Sequence, residues 1–224
     1  MNERPPSIAT PLVDLVLASA SPRRKELLQR VGLRLVVVPA DIDEAPRAQE
    51  LAGDYVRRMA VEKAAAGHRA WAARAEAAGS SGGVASALPL LAADTTVIVD
   101  GSILGKPADE GEARQMLARL AGRRHEVTTA YRIVHGGREV DRSVTTAVAI
   151  RLLDPREVEA YVAGVEWRGK AGGYAVQGIA AAFVTELRGS LTNVVGLPLA
   201  EVLADLRALG AVPAYPPARF VAEG

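Results

Sequence analysis

Cysteine is absent from this chain, which excludes disulfides, thiol chemistry and cysteine-ligated zinc. Histidine is scarce: His68, His125 and His135 are the whole complement and show no metal-ligand spacing. No apolar run reaches the length of a membrane span, and the N-terminus lacks the apolar stretch of a secretion signal. The expectation is a soluble, cytoplasmic protein without a membrane partner. Net charge is small as well, +1 at pH 7 over 224 residues, so no nucleic-acid polymer is expected as a partner. That length suits one large domain or two small lobes with a sizeable core. Lysine is rare: the 27 basic residues include only Lys25, Lys63, Lys106 and Lys170, the rest being arginine. A chain that otherwise uses arginine keeps lysine where a compact, mobile point charge serves. Chance also scatters four lysines, so these are simply positions to inspect.

Against that background one corner stands out. Val13 to Leu17 reads as a buried strand that stops at the small residues Ala18-Ser19-Ala20, and Ser21-Pro22 then supplies an N-cap and first position for a helix over about 21–31. Arg23, Arg24 and Lys25 occupy the first turn of that helix, where the macrodipole is positive and acidic residues are favoured. Helix stability does not ask for cations there, whereas a bound anion does. Free N–H groups, two serine hydroxyls and a cationic cluster make a phosphate seat; the alternative is a solvated basic turn.

The remaining pattern interleaves strands and helices, so the class is α/β with a mixed sheet. Leu35–Val38 reads as a strand leading into the acidic loop Asp41 to Pro46, and Glu50 to about Arg74 as a helix. Residues 76–88 are rich in Ala, Gly and Ser and read as a flexible insertion. Leu90–Ala93 and Thr96–Val99 form an apolar strand interrupted at Asp94-Thr95, and Asp109 with Glu112 caps a helix to about Leu120. Glu126–Val134 and Glu139–Leu152 form a hairpin around His135-Gly136-Gly137. Asp154, Pro155 and Glu157 open another helix. A Gly-rich segment, 169–178, precedes a strand-like run from Ala180 to Leu187, and Leu199–Leu209 is a final helix ended by Gly210. Residues 212–224 read as an irregular tail, and no internal repeat is present.

Several of these segments carry chemistry. Asp94 lies among aliphatic residues, and a carboxylate there binds a cation, is otherwise paired, or caps a turn at a strand end. Asp41, Asp43 and Glu44 line the acidic loop, most of which reads as solvated. Gly105-Lys106-Pro107 projects a lysine from a stiff turn. The Gly-rich segment permits close backbone approach to a ligand, or is an ordinary loop. Separated cations, several carboxylates and Gly-rich loops are what phosphoanhydride hydrolysis uses, although neither a Walker P-loop nor a Rossmann glycine fingerprint is present.

Six motifs in order resemble the Maf family of nucleoside triphosphate pyrophosphatases: Leu17-Ala18-Ser19-x-Ser21-Pro22-Arg23-Arg24, Glu62-Lys63-Ala64, Ala93-Asp94-Thr95, Gly105-Lys106-Pro107, Lys170-Ala171-Gly172-Gly173-Tyr174-x-Val176-Gln177-Gly178 and Asn193-Val194-Val195-Gly196-Leu197-Pro198-Leu199. The resemblance implies one Maf-like domain over 1–224, in a two-lobed Maf/ITPase-like α/β fold with a nucleotide-binding cleft over an extended mixed sheet, often as a homodimer. It implies hydrolysis of a nucleoside triphosphate to the monophosphate and pyrophosphate with a divalent cation, Mg²⁺ or Mn²⁺. Carried over, Asp94 is the proton acceptor with Glu44 and Lys106 as companions, Asp94 and Glu44 are the metal ligands, and Ser19, Arg24 and Lys63 match substrate-binding positions at the phosphate or metal site. Arg23, Thr95 and Gln177 resemble the set in members acting on dTTP and UTP. The branch acting on 7-methyl-GTP, with Trp and Gln at the positions of Arg23 and Thr95, is the rival enzyme reading. A nucleotide-binding regulator of cell division or septum formation is the rival outside enzymes. The chain departs from the family pattern in the length added over Ser80–Leu88 and in Ala180-Ala181-Ala182, where glycines are common.

Overall fold

The computed structural model describes residues 13–78 and 88–212. In chain order these form β1 (Leu15–Leu17), α1 (Pro22–Arg30), β2 (Leu35–Val37), α2 (Ala52–Ala77), β3 (Leu90–Val99), β4 (Ser102–Leu104), α3 (Glu110–Leu120), β5 (Arg124–His135), β6 (Arg138–Ile150), α4 (Pro155–Ala163), β7 (Val184–Arg188), α5 (Leu191–Val195) and α6 (Leu199–Ala208). Two short 3-10 turns, Ala171–Gly173 and Ile179–Phe183, lie between α4 and β7. Residues 79–87 of the expected insertion and 213–224 of the expected tail lie outside the described residues. Glu76 and Ala77 belong to α2, and Val212 is buried beside Leu206 and Leu209.

All seven strands join one mixed sheet in the order β2-β1-β3-β5-β6-β7, with β4 also paired to β3. β2, β1 and β3 are parallel; β3, β5, β6 and β7 run antiparallel to their neighbours. The helix signals act locally as expected. Asp109 Oδ1 accepts from Glu112 N–H at 2.8 Å, and Asp154 with Glu157 forms a complete capping box at the start of α4.

Two expectations need correction, and one helix was not expected. β3 is uninterrupted: Asp94 pairs with Ala130 in a continuous ladder with β5, so it is not a strand-end cap. Thr95 and Thr96 suit a strand, and the carboxylate projects from the sheet face without disturbing the ladder. The strand expected over Ala180–Leu187 begins only at Val184, because the alanines before it have weak strand preference and close a 3-10 turn instead. α5, absent from the sequence reading, is a single short helix capped by Ser190, whose Oγ accepts from Asn193 N–H at 3.2 Å.

Alternation along β1 and β3 assigns the two sheet faces. Leu15, Leu17, Leu91 and Ala93 pack with α1 and α6 residues such as Leu27, Leu28, Val202 and Leu206. Val16, Ala18, Leu90 and Ala92 pack under α2 with Ala64. α2 approaches closely because Gly67 has no side chain: a Cβ there would stand 2.3 Å from that of Ala18. By the same period of two, Asp94 faces α2 and Thr95 faces α1.

Candidate active site

β3 changes neighbours along one edge. β1 pairs with it only through Leu91, and β4 only from Val97 onward, while β5 fills the opposite edge throughout. Asp94 and Thr95 sit in the fork between, where β1 departs toward Ser19 and β4 toward Lys106. A crevice where strand order switches is a common ligand position in α/β sheets. The open edge also explains how two successive residues, facing opposite sheet faces, reach one cleft of ≈ 330 Å³. The Gly-rich segment closes the fork: Gly172 N–H donates to Gly105 O at 2.9 Å beside the Val97 side chain.

On the α2 side, the buried Lys63 projects between two carboxylates. Its Nζ lies 2.7 Å from Asp94 Oδ1 and 2.7 Å from Glu44 Oε1. Lys106 Nζ reaches the other oxygen of Glu44 at 3.3 Å. Partial burial opposes ionisation of Glu44, but Lys63 and Lys106 outweigh it and hold the carboxyl below its ordinary range. Glu44 comes from an irregular loop tied down by α2. The Tyr55 hydroxyl donates to Glu44 O at 3.0 Å, and Arg58 donates to Ala45 O at 3.1 Å. Arg58 also grips Glu50 through two bonds of 2.6 and 2.7 Å and pushes its carboxyl down to about 2. Burial, with Asp94 and Glu44 nearby, pushes the Tyr55 phenol up to about 12.

On the α1 side lies Arg24, 7 % exposed. Among the described residues its guanidinium donates only to neutral oxygens: Gly196 O at 2.8 Å, Ser19 Oγ at 3.1 Å and Thr95 Oγ1 at 2.9 Å. Burial lowers its pKa, and the attraction of Asp94 offsets that only in part. The charge is held in place without a counter-ion in contact among the described residues, which leaves it directed at the cleft. Arg23 is half-buried, donates to Val195 O at 3.3 Å, and is likewise lowered by burial.

The cleft lining contains Ser19, Arg23, Arg24, Glu44, Lys63, Asp94, Thr95, Lys106 and Gln177, so the nine site residues that the family resemblance implies meet there. Asp41, Asp43 and Lys25 are exposed and outside it. Lys170 also lines the cleft, its pKa lowered by burial and by Arg23; the scarcity of lysine was the signal for it. Five cations therefore face two carboxylates, a local excess in a chain of net charge +1. Tyr174 forms part of the wall, and its hydroxyl lies 2.7 Å from Nε2 of His125, whose pKa burial drives down to about 4. That histidine is a neutral packing partner. Among the described residues no group of three or more His, Asp or Glu gathers as a metal cage. The carboxylate pair of Asp94 and Glu44 is the available hard-oxygen set, and it suits a cation that completes its coordination with substrate phosphates.

A family model described as "Maf-like protein" matches residues 14–209. A curated relative named "dTTP/UTP pyrophosphatase" from Cereibacter sphaeroides is 49% identical over 202 residues, 90% of this chain and 97% of that protein. Relatives of the same name from Bordetella parapertussis and Syntrophus aciditrophicus are 49% and 42% identical, over 89% and 88% of this chain and 94% and 91% of theirs. The solved Staphylococcus aureus Ham1 protein aligns over 61% of this chain and 71% of that chain at 14% identity and a TM-score of 0.38, a likeness too slight to bear on fold or function.

Proposed function

The chain belongs to the Maf family, and from that premise we propose that it hydrolyses dTTP and UTP to the monophosphate and pyrophosphate. The observation that carries this reading is Arg24, a buried guanidinium with neutral acceptors alone among the described residues, lining a cleft where cations outnumber carboxylates. A buried charge without a counter-ion is unfavourable unless an anion completes it, and a triphosphate supplies that anion.

In this proposal Ser19, Arg24 and Lys63 hold the phosphates, with Lys170 adding positive charge. Asp94 accepts a proton from a water that attacks the α-phosphorus, and the bond to the bridging oxygen of the pyrophosphate leaving group breaks. Lys106 neutralises charge that develops during the attack. A divalent cation, Mg²⁺ or Mn²⁺, would be held by Asp94 and Glu44 and would supply Lewis-acid charge neutralisation. Lys63 keeps those carboxylates side by side, since two anions facing each other without a cation repel.

The base end of the proposal rests on Arg23, Thr95 and Gln177. Arg23 donates hydrogen bonds; the Gln177 amide both donates and accepts, matching the O2, N3–H and O4 edge of uracil or thymine. Thr95 is small and leaves room beside Asp94. The proposal extends to a cytoplasmic location and a homodimer; no described helix is long and apolar enough to cross a membrane.

The test is a panel of nucleotides with Mg²⁺ or Mn²⁺ and with chelator, following both products. dTTP and UTP should be cleaved well ahead of GTP and 7-methyl-GTP, with pyrophosphate as co-product. A panel led by 7-methyl-GTP refutes the base reading, and release of orthophosphate alone refutes attack at the α-phosphorus.

A further inference from the structure

The segment that carries Gln177 is closed by a residue with no part in the scheme above. After α4 the chain turns through Val165, whose φ of 55° places a β-branched side chain in the left-handed region, a conformation that is unfavourable for such a residue. The turn delivers Glu166 to the inner side of the Gly-rich segment. There Glu166 Oε2 accepts from Ile179 N–H at 2.8 Å, and Oε1 accepts from the Tyr161 hydroxyl at 3.0 Å and from Ala180 N–H at 3.4 Å. The backbone carbonyl of Glu166 accepts from the Lys170 ammonium. One residue thus ties both ends of the stretch from Lys170 to Ala180.

Gly178 is fitted to this clasp. A Cβ on it would lie 2.0 Å from Glu166 Oε2, so the carboxylate occupies the space a side chain would need. Gln177, immediately before, is exposed and makes no side-chain hydrogen bond among the described residues. Its position therefore depends on the backbone that Glu166 holds. We propose that Glu166 is a positioning residue for base selection: by clasping the turn at 178–180 it fixes the wall that carries Gln177 and so places the Gln177 amide for the base edge. This inference rests on the reading of Gln177 as a base-recognising residue. A clasped wall holds the Gln177 amide in place against the pyrimidine edge, whereas a released one lets that amide shift and loses the discrimination it provides.

The experiment compares kcat/KM for UTP and GTP in the wild type, Glu166→Gln, Gly178→Ala, Gln177→Ala and the Glu166→Gln/Gln177→Ala double variant. Glu166→Gln turns one acceptor into an amide donor opposed to a backbone N–H, and the UTP/GTP ratio should fall by about tenfold, with a smaller change in kcat for UTP. Gly178→Ala should lower the ratio likewise, from the opposite side of the contact. The double variant should match Gln177→Ala alone, because the clasp acts through that residue. An unchanged ratio in folded Glu166→Gln, equal loss on both nucleotides, or additive effects in the double variant would overturn the proposal. If Glu166→Gln does not fold, the Gly178→Ala ratio decides. A wild type that prefers GTP refutes the pyrimidine assignment instead, and the coupling of Glu166 to Gln177 on the preferred nucleotide still judges the clasp.

Discussion

Arg24→Met separates stability from activity at one buried position. The substitution keeps an unbranched stem and removes the guanidinium with its three hydrogen bonds, to Gly196 O, Ser19 Oγ and Thr95 Oγ1. Bonds from a charged donor contribute about 1.5–3 kcal/mol each, which alone predicts a large loss. Two effects oppose it. None of the acceptors is orphaned: Ser19 Oγ still accepts from Ser21 N–H at 3.2 Å, Thr95 Oγ1 still meets Thr129 Oγ1 at 2.9 Å, and Gly196 O still accepts from Thr95 at 3.3 Å. The variant also removes a buried charge whose desolvation costs several kcal/mol, a cost reflected in the lowered pKa of Arg24 despite the nearby Asp94. The terms are of similar size and opposite sign, so urea denaturation should place the variant within about 1 kcal/mol of the wild type, a Tm difference of roughly 2–4 °C for a chain of this size. Activity should behave differently: losing a fixed donor aimed at developing negative charge costs about 10²–10³-fold in kcat. Thermal stabilisation by a non-hydrolysable triphosphate, about 2.7 kcal/mol at a hundred times Kd in the wild type, should also be largely lost. Destabilisation by more than about 3 kcal/mol, the range for breaking a needed buried ion pair, would make Arg24 a structural residue. Undiminished hydrolysis would remove it from the site.

Other residues of the cleft yield independent expectations. Asp94→Asn keeps size and hydrogen bonding and should reduce hydrolysis by about 10²-fold or more with the fold intact; near-normal turnover excludes it as the base. Lys106→Ala should lower kcat more than it raises KM, and steady-state kinetics showing the reverse would make it a binding residue. Arg58→Met should release the loop that carries Glu44 and reduce kcat, yet add nothing in a Glu44→Gln background; an additive loss would mean that Arg58 acts elsewhere. The Glu44 carboxyl is held below its ordinary value of 4.5 in the folded protein, so its favourable contribution is complete above that pH and disappears as pH falls through the lowered value. The stability difference between wild type and Glu44→Gln, measured by urea titration at pH 7 and at successively lower pH, should therefore shrink on the acid side. A difference that grows on acidification contradicts the Lys63 and Lys106 contacts.

Features set by neighbours in the chain were legible in the residues. Ser21-Pro22 starts α1, Asp154, Pro155 and Glu157 start α4, and Gly136-Gly137 turns β5 into β6, because caps and tight turns depend on side chains within a few positions of the backbone they satisfy. The misplacement of cations in the first turn of α1 pointed to an anion on the same local grounds, although only Arg23 and Arg24 of the three reach the cleft. What could not be read locally were the features made by strand partners. Asp94 looked like a break in a strand, yet the ladder with β5 carries β3 straight through it. The fork that exposes Asp94 and Thr95 exists because β1 and β4 pair with separate stretches of one edge. The meeting of Glu44, Lys63 and Asp94, and the reach of Glu166 to Ile179, likewise join residues distant in the chain. Residue type and spacing determined which groups are available for chemistry and where helices begin; only the packing of α2 and the pairing along β3 decided which of them meet, since contacts between distant segments depend on the whole sheet being assembled.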